Sequence, residues 1–219
     1  MVAPRPSRLL FHASLRAVRL LSLPFARIRV SGRGRLPRGA WVGIFNHASA
    51  LDVAALAWTI GGPVAFWAKA ELERRPLLGA WLRGCGAVFV QREGGDEEAF
   101  RVALARLRAG RPFLLAPEGT RHHGEEGGRP RTGFVRLAQL SGCPVVPCAI
   151  SGAREALPPG RVFPRPFRRG LVRVQVGQPR RLEPLPVDEE HREALAAQAQ
   201  SLMEEVYRMK RELDAGAAA

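Results

Sequence analysis

Short apolar runs alternate with segments of helical period along most of the chain. Continuous or alternating apolar residues predict strands at 27–31, 41–45, 63–68, 87–91, 112–116, 145–150 and 171–176. The last, Val172-Arg173-Val174-Gln175-Val176, alternates cleanly and reads as a half-exposed strand. Helical spacing occupies 49–60, 76–84, 96–109, 133–141 and 188–213. In the third of these, Phe100, Ala103, Leu104 and Leu107 share a face and Gly110 supplies the stop. Strands separated by helices predict an α/β fold with a mixed, largely parallel sheet of about seven strands flanked by helices. Ahead of them, residues 7–23 plot as an amphipathic helix ended by Pro24. Arg8, His12, Arg16 and Arg19 fall on one side of it, and Leu10, Phe11, Val18 and Leu21 on the other. Such a helix suits a membrane interface, and equally suits packing on its own domain. The expected organisation is an N-terminal amphipathic segment over 1–26, one domain over 27–214 and a disordered tail over 215–219.

Composition sharpens this picture in two places. The net charge of +14 calls for an anionic partner, and nearly all of it is arginine, since Lys69 and Lys210 are the only lysines. Asn46 is the only asparagine. Cys85, Cys143 and Cys148 lie in apolar surroundings, without disulfide or metal spacing, and read as reduced thiols of a cytosolic protein. No apolar run approaches the roughly 20 residues of a membrane span, and no signal-peptide pattern is expected.

In open, largely parallel sheets the chemistry sits in loops at the carboxyl ends of strands. Three polar segments take that position: Asn46–Asp52, Lys69–Arg75 and Glu118–Arg121. In the first, FNHASALDVAAL, a histidine and an aspartate stand five residues apart. That spacing cannot place both on one face of a regular helix. If they meet, His47 lies in the loop and Asp52 in the first helical turn, and a carboxylate orients an imidazole. The same residues also spell Ser49-Ala50-Leu51-Asp52, a capping box in which Asp52 only satisfies the helix start.

Four blocks in order carry a resemblance: NHASALD, the stretch from Lys69 to Arg92, PEGTR at 117–121, and CPVVPCAI at 143–150. Together they resemble the lysophospholipid acyltransferase family, the group containing bacterial 1-acylglycerol-3-phosphate acyltransferases, over roughly residues 28–180. The resemblance implies transfer of an acyl chain to a lipid hydroxyl, without metal or cofactor. The donor thioester would be acyl-carrier protein or acyl-coenzyme A. His47 would be the general base of this HX4D motif, with Asp52 holding its tautomer, a device that typically contributes about 10²–10⁴-fold. Backbone N–H groups near Gly119, or at the helix start after His47, would receive the oxyanion. Lys69, Arg92 and Arg121 would surround the acceptor's phosphate, with Arg121 gripping two oxygens through its planar fork. Glu118 would orient the glycerol or Arg121, or form a structural salt bridge, and Thr120 completes the substrate-binding block. Gly119 would take a positive φ or allow close backbone approach. The implied substrate is a lysophospholipid, most simply 1-acylglycerol-3-phosphate, with glycerol 3-phosphate or another lysolipid as alternatives. The expected location is the cytoplasmic face of the membrane, peripheral or monotopic, against an anionic lipid surface.

Two features depart from the family pattern: His122 and His123 follow the third block directly, and Arg131 stands where lysine is common. Two other function classes compete. A basic nucleic-acid- or membrane-binding protein without catalysis fits the charge, but the arginines are scattered and no nucleic-acid module is present. A metal hydrolase using His47, Asp52, His122 and His123 needs a convergent ligand set that the spacing does not offer.

Overall fold

The structure, a computed structural model, describes residues 7–22, 26–91, 96–119, 129–158 and 170–218. Seven strands form one sheet: β1 Ala26–Ser31, β2 Val42–Phe45, β3 Ala65–Lys69, β4 Ala87–Val90, β5 Phe113–Leu115, β6 Val145–Ser151 and β7 Gly170–Val176. All seven coincide with the apolar runs to within two residues at each end. Their order is β1-β7-β6-β2-β5-β3-β4. Every neighbouring pair is parallel except β6 with β7, which makes the sheet mixed as the alternation of elements predicts.

The helices are α1 Arg8–Ser22, α2 Leu51–Ile60, α3 Ala70–Glu73, α4 Pro76–Gly84, α5 Glu97–Arg108, α6 Gly133–Ser141, α7 Ala153–Ala156 and α8 Arg192–Ala218. The four-residue helices α3 and α7 are too short to leave a period in the sequence. Helix α8 departs from expectation at both ends. Asp188 closes a turn on the His191 N–H (3.0 Å), which delays the start to Arg192. At the other end the helix continues to Ala218, past the expected frayed boundary at 215. The alanine-rich end is a strong helix former, and Lys210 pairs with Asp214 one turn on at 2.6 Å.

The pleat sends alternate residues into two apolar layers. Val42, Ile44, Phe113, Leu115 and Val145 face α5, α6 and α8. Phe45, Leu114, Val146, Cys148 and Ile150 face α1, α2 and α7, together with Val172, Val174 and Val176 of β7. Burial pushes the Cys148 thiol up to about 12 and raises Cys85 as well, so both act as core filling rather than as nucleophiles.

Helix α1 joins the second layer through buried Phe11 and half-buried Leu15. Its predicted apolar side is therefore partly an inward face. Among its described side chains, Leu9, 83% exposed, Leu20, 66% exposed, and Leu10, 37% exposed, are left in solvent.

Crossovers place the functional edge. After β2 the chain turns into α2 on one face, whereas after the adjacent β5 it reaches α6 on the other. Adjacent strands whose connections leave on opposite faces open a crevice at their carboxyl ends.

Backbone proximity leaves no room for a side chain at Gly152, which has φ 77°. A Cβ there would stand 2.0 Å from the Leu171 carbonyl oxygen. Gly152→Ala should therefore lower stability by about 1–3 kcal/mol or more, seen as a fall in denaturation midpoint. A midpoint equal to the parent protein's would contradict the β6–β7 packing described here.

Candidate active site

The β2 strand ends at Phe45, and Asn46 continues its pairing with side-chain atoms instead of backbone. Its Nδ2 donates to the Ile150 carbonyl and its Oδ1 accepts from the Ile150 N–H, both at 2.8 Å. The sole asparagine thus pins the strand end to β6 while its own backbone is free to turn. His47 follows in the loop, its ring edge-on to Phe45 with centroids 5.8 Å apart. Ser49 anchors the far side of the turn, donating its hydroxyl to the Leu157 carbonyl at 2.8 Å.

Asp52 then lies in the first turn of α2, fully buried. One oxygen, Oδ2, receives three groups: the Ala48 N–H at 2.8 Å, the Ser49 N–H at 2.8 Å, and His47 Nδ1 at 2.9 Å. The cap and the dyad are therefore the same contact. Only half of a capping box forms, because the Asp52 N–H bonds the Ser49 carbonyl (3.2 Å) and not its hydroxyl. With Nδ1–H donating to the carboxylate, His47 presents the lone pair of Nε2.

His47 lines a cavity of about 310 Å³ at the carboxyl ends of β2, β3, β4 and β5. Its wall is largely apolar, with Phe66, Trp67, Val90, Phe100 and Phe134 among the lining residues. Trp67 stacks edge-on with Phe113, centroids 5.6 Å apart. Gly119 and Arg131 close one side. Gly119 has φ 70°, the first of the two expected reasons for a glycine, and a Cβ on it would meet the Arg131 side chain at Nε, 2.9 Å away. Arg136, also lining the cavity, lies over the Phe100 ring at 4.7 Å.

Several expected site residues fall elsewhere. Lys69 is exposed at the end of β3, beside the cavity wall rather than in it. Glu118 is buried and accepts a hydrogen bond from the hydroxyl of Tyr207 on α8. Burial and the adjoining carboxylate raise the Tyr207 phenol, keeping it a neutral donor. Arg92, Thr120 and Arg121 lie outside the described residues, as do His122 and His123.

The N–H groups expected to receive the oxyanion are otherwise engaged. Those of Ala48 and Ser49 serve Asp52, and that of Gly119 bonds the Ala116 carbonyl at 3.1 Å. Sequence reasoning also missed Arg136 and Tyr207. Arg136 follows Gly133 by nearly one turn of α6 and is locatable by period. Tyr207 carries no signal beyond being the only tyrosine.

An acyltransferase family model matches residues 27–151. A lyso-ornithine lipid O-acyltransferase of Pseudomonas aeruginosa is 34% identical over 82% of this chain and 71% of its own length. A 1-acyl-sn-glycerol-3-phosphate acyltransferase of Borreliella burgdorferi is 30% identical over 62% of this chain and 56% of its own. Among solved structures, the 1-acyl-sn-glycerophosphate acyltransferase of Thermotoga maritima superposes with a TM-score of 0.74 at 25% identity. That match covers 93% of this chain and 80% of the other.

Two outcomes follow from this geometry. Asp52→Asn leaves an amide oxygen for the backbone N–H groups but none able to stabilise an imidazolium. Turnover should fall by about 10²–10⁴-fold with only a modest loss of melting temperature, whereas normal turnover would reduce Asp52 to a cap. Tyr207→Phe removes a donor from a buried carboxylate and should cost about 1–3 kcal/mol in denaturant titration. No change in the titration would mean that the Tyr207–Glu118 bond contributes nothing.

Proposed function

The chain belongs to the acyltransferase family, and on that premise we propose that it moves a fatty acyl chain from a thioester to the free hydroxyl of a lysophospholipid. The acceptor proposed is 1-acylglycerol-3-phosphate, giving phosphatidic acid, and the donor is acyl-carrier protein or acyl-coenzyme A. The observation that carries the mechanism is the 2.9 Å contact between His47 and Asp52 at the cavity wall. His47 Nε2 takes the proton of the acceptor hydroxyl as its oxygen attacks the thioester carbonyl. Asp52 balances the imidazolium so formed. Collapse of the tetrahedral oxyanion breaks the carbon–sulfur bond, and the imidazolium returns its proton to the departing thiolate. The aromatic wall accommodates the acyl chain.

Lys69, from beside the cavity wall, and Arg92 and Arg121 are the proposed phosphate-facing cations, and Glu118, Gly119 and Thr120 shape the loop of Arg121. Arg131 joins them, since its guanidinium overlies Gly119 in the cavity that His47 lines. A second reading has support: the Pseudomonas aeruginosa relative is named for a lyso-ornithine lipid. Ornithine offers a carboxylate where phosphatidate offers a phosphate, and an arginine fork binds either.

The net charge of +14 suits an anionic membrane surface, which we place at the cytoplasmic leaflet. No described helix is long and apolar enough to cross a membrane. Helix α1, with Leu9 and Leu20 in solvent, is the proposed contact.

Incubation with labelled acyl donor and a panel of lysolipids, followed by product identification, tests the assignment. The panel should include 1-acylglycerol-3-phosphate, lyso-ornithine lipid, and the monoacylglycerol lacking phosphate. Arg131→Ala should lower kcat/KM for the phosphate-bearing acceptor by about ten- to a hundredfold, the loss of one charged hydrogen bond. The phosphate-free acceptor should change little. Equal losses on both would assign Arg131 to the loop or the donor, and a panel with no acylated product would remove the proposal.

A further inference from the structure

The surface beside α1 contains a second unpartnered apolar face. Helices α1 and α4 lie antiparallel, joined by the Ser7 N–H to the Gly84 carbonyl (3.2 Å) and the Trp81 indole N–H to Ser14 Oγ (2.8 Å). Gly84 permits the approach, since a Cβ there would stand 2.3 Å from Leu10 Cδ2. On the outward side of α4, Leu77 is 89% exposed and Trp81 38%, one turn apart and therefore on the same face. Helix α1 meets α4 through Ser7, Leu10 and Ser14, and carries its own exposed Leu9 and Leu20. Leu77 and Trp81, one turn apart on α4, form an exposed apolar pair rather than scattered singles.

Charge selects the occupant. Arg74 and Arg75 precede α4 and are exposed; of the two nearby acids, Glu71 is exposed and Glu73 is bonded to Arg83 at 2.7 Å, so three arginines stand against two glutamates. The flank of the patch is thus cationic. Topology sets its direction: α4 returns from the carboxyl end of β3 to the start of the parallel strand β4. Leu77, near its beginning, lies toward the edge of the sheet that carries His47.

We propose that α4 is a second membrane contact, with Leu77 and Trp81 entering an anionic bilayer interface and Arg74 and Arg75 at its headgroups. This deepens the membrane reading of α1 and rests on it. The tryptophan is placed as interfacial aromatics are, its ring half-exposed and its N–H hydrogen-bonded. The arrangement holds the cavity end of the sheet against the lipid from which the acceptor comes.

Sedimentation of the full chain with vesicles tests this, using phosphatidylcholine alone or mixed with phosphatidylglycerol. Leu77→Gln should reduce partition to mixed vesicles about tenfold, with unchanged melting and unchanged activity on detergent-dispersed substrate. Arg74→Gln and Arg75→Gln should each reduce it about fivefold, and only where phosphatidylglycerol is present. Trp81→Phe should lose the fluorescence quenching caused by bilayer-brominated lipid. The double variant Leu9→Gln/Leu20→Gln separates the two ideas. If it releases the protein while Leu77→Gln partitions like the parent, α4 is not a contact and the α1 reading stands. If the parent chain sediments with neither vesicle, the membrane reading fails and the role of α4 goes with it.

Discussion

A carboxylate removed from water must be given donors, and Asp52 collects three on one oxygen. That requirement organises the site. The backbone after β2 has to fold back so that two consecutive N–H groups and an imidazole converge on one point inside the protein. Asn46 and Ser49 make the turn affordable by tying its ends to Ile150 and Leu157 across the sheet edge. The orientation of His47 thus comes from the same contacts that start α2.

The rest of the molecule holds that turn at the mouth of a cavity. The crevice exists because β2 and β5 are neighbours whose connections leave on opposite faces of the sheet. The loop after β5 supplies Gly119, the residues just before α6 supply Arg131, and the first turn of α6 supplies Arg136. Helix α8, beyond the region matched by the family model, contributes Tyr207 as the donor that steadies Glu118. Polar chemistry therefore rims a cavity whose walls are aromatic, an arrangement fitted to a substrate with a charged head and a long apolar chain.

Outside the site, the exposed large apolar side chains described on α1 and α4 are leucines and one tryptophan. Helix α1 has one face packed on Trp81 and the second apolar layer, and another in solvent. A helix of this kind cannot be removed without opening the core, so its packed residues and its solvent-facing leucines are separate sets.

Seven strands and every helix of nine or more residues were legible from periodicity alone, because burial on one or both faces writes itself into spacing. The pairing of His47 with Asp52 was legible as a possibility, since helical geometry forbids one face and leaves the loop-to-helix arrangement. Sequence could not choose between a helix cap and a partner for the imidazole, and the structure shows why: one oxygen meets both the helix-start N–H groups and His47. Nor could it reveal that Glu118 meets Tyr207 from 89 residues away, that Lys69 stands outside the cavity, or that the expected oxyanion N–H groups are already bonded. Those are contacts between elements far apart in the chain, and local patterns record which residues are buried, not against what.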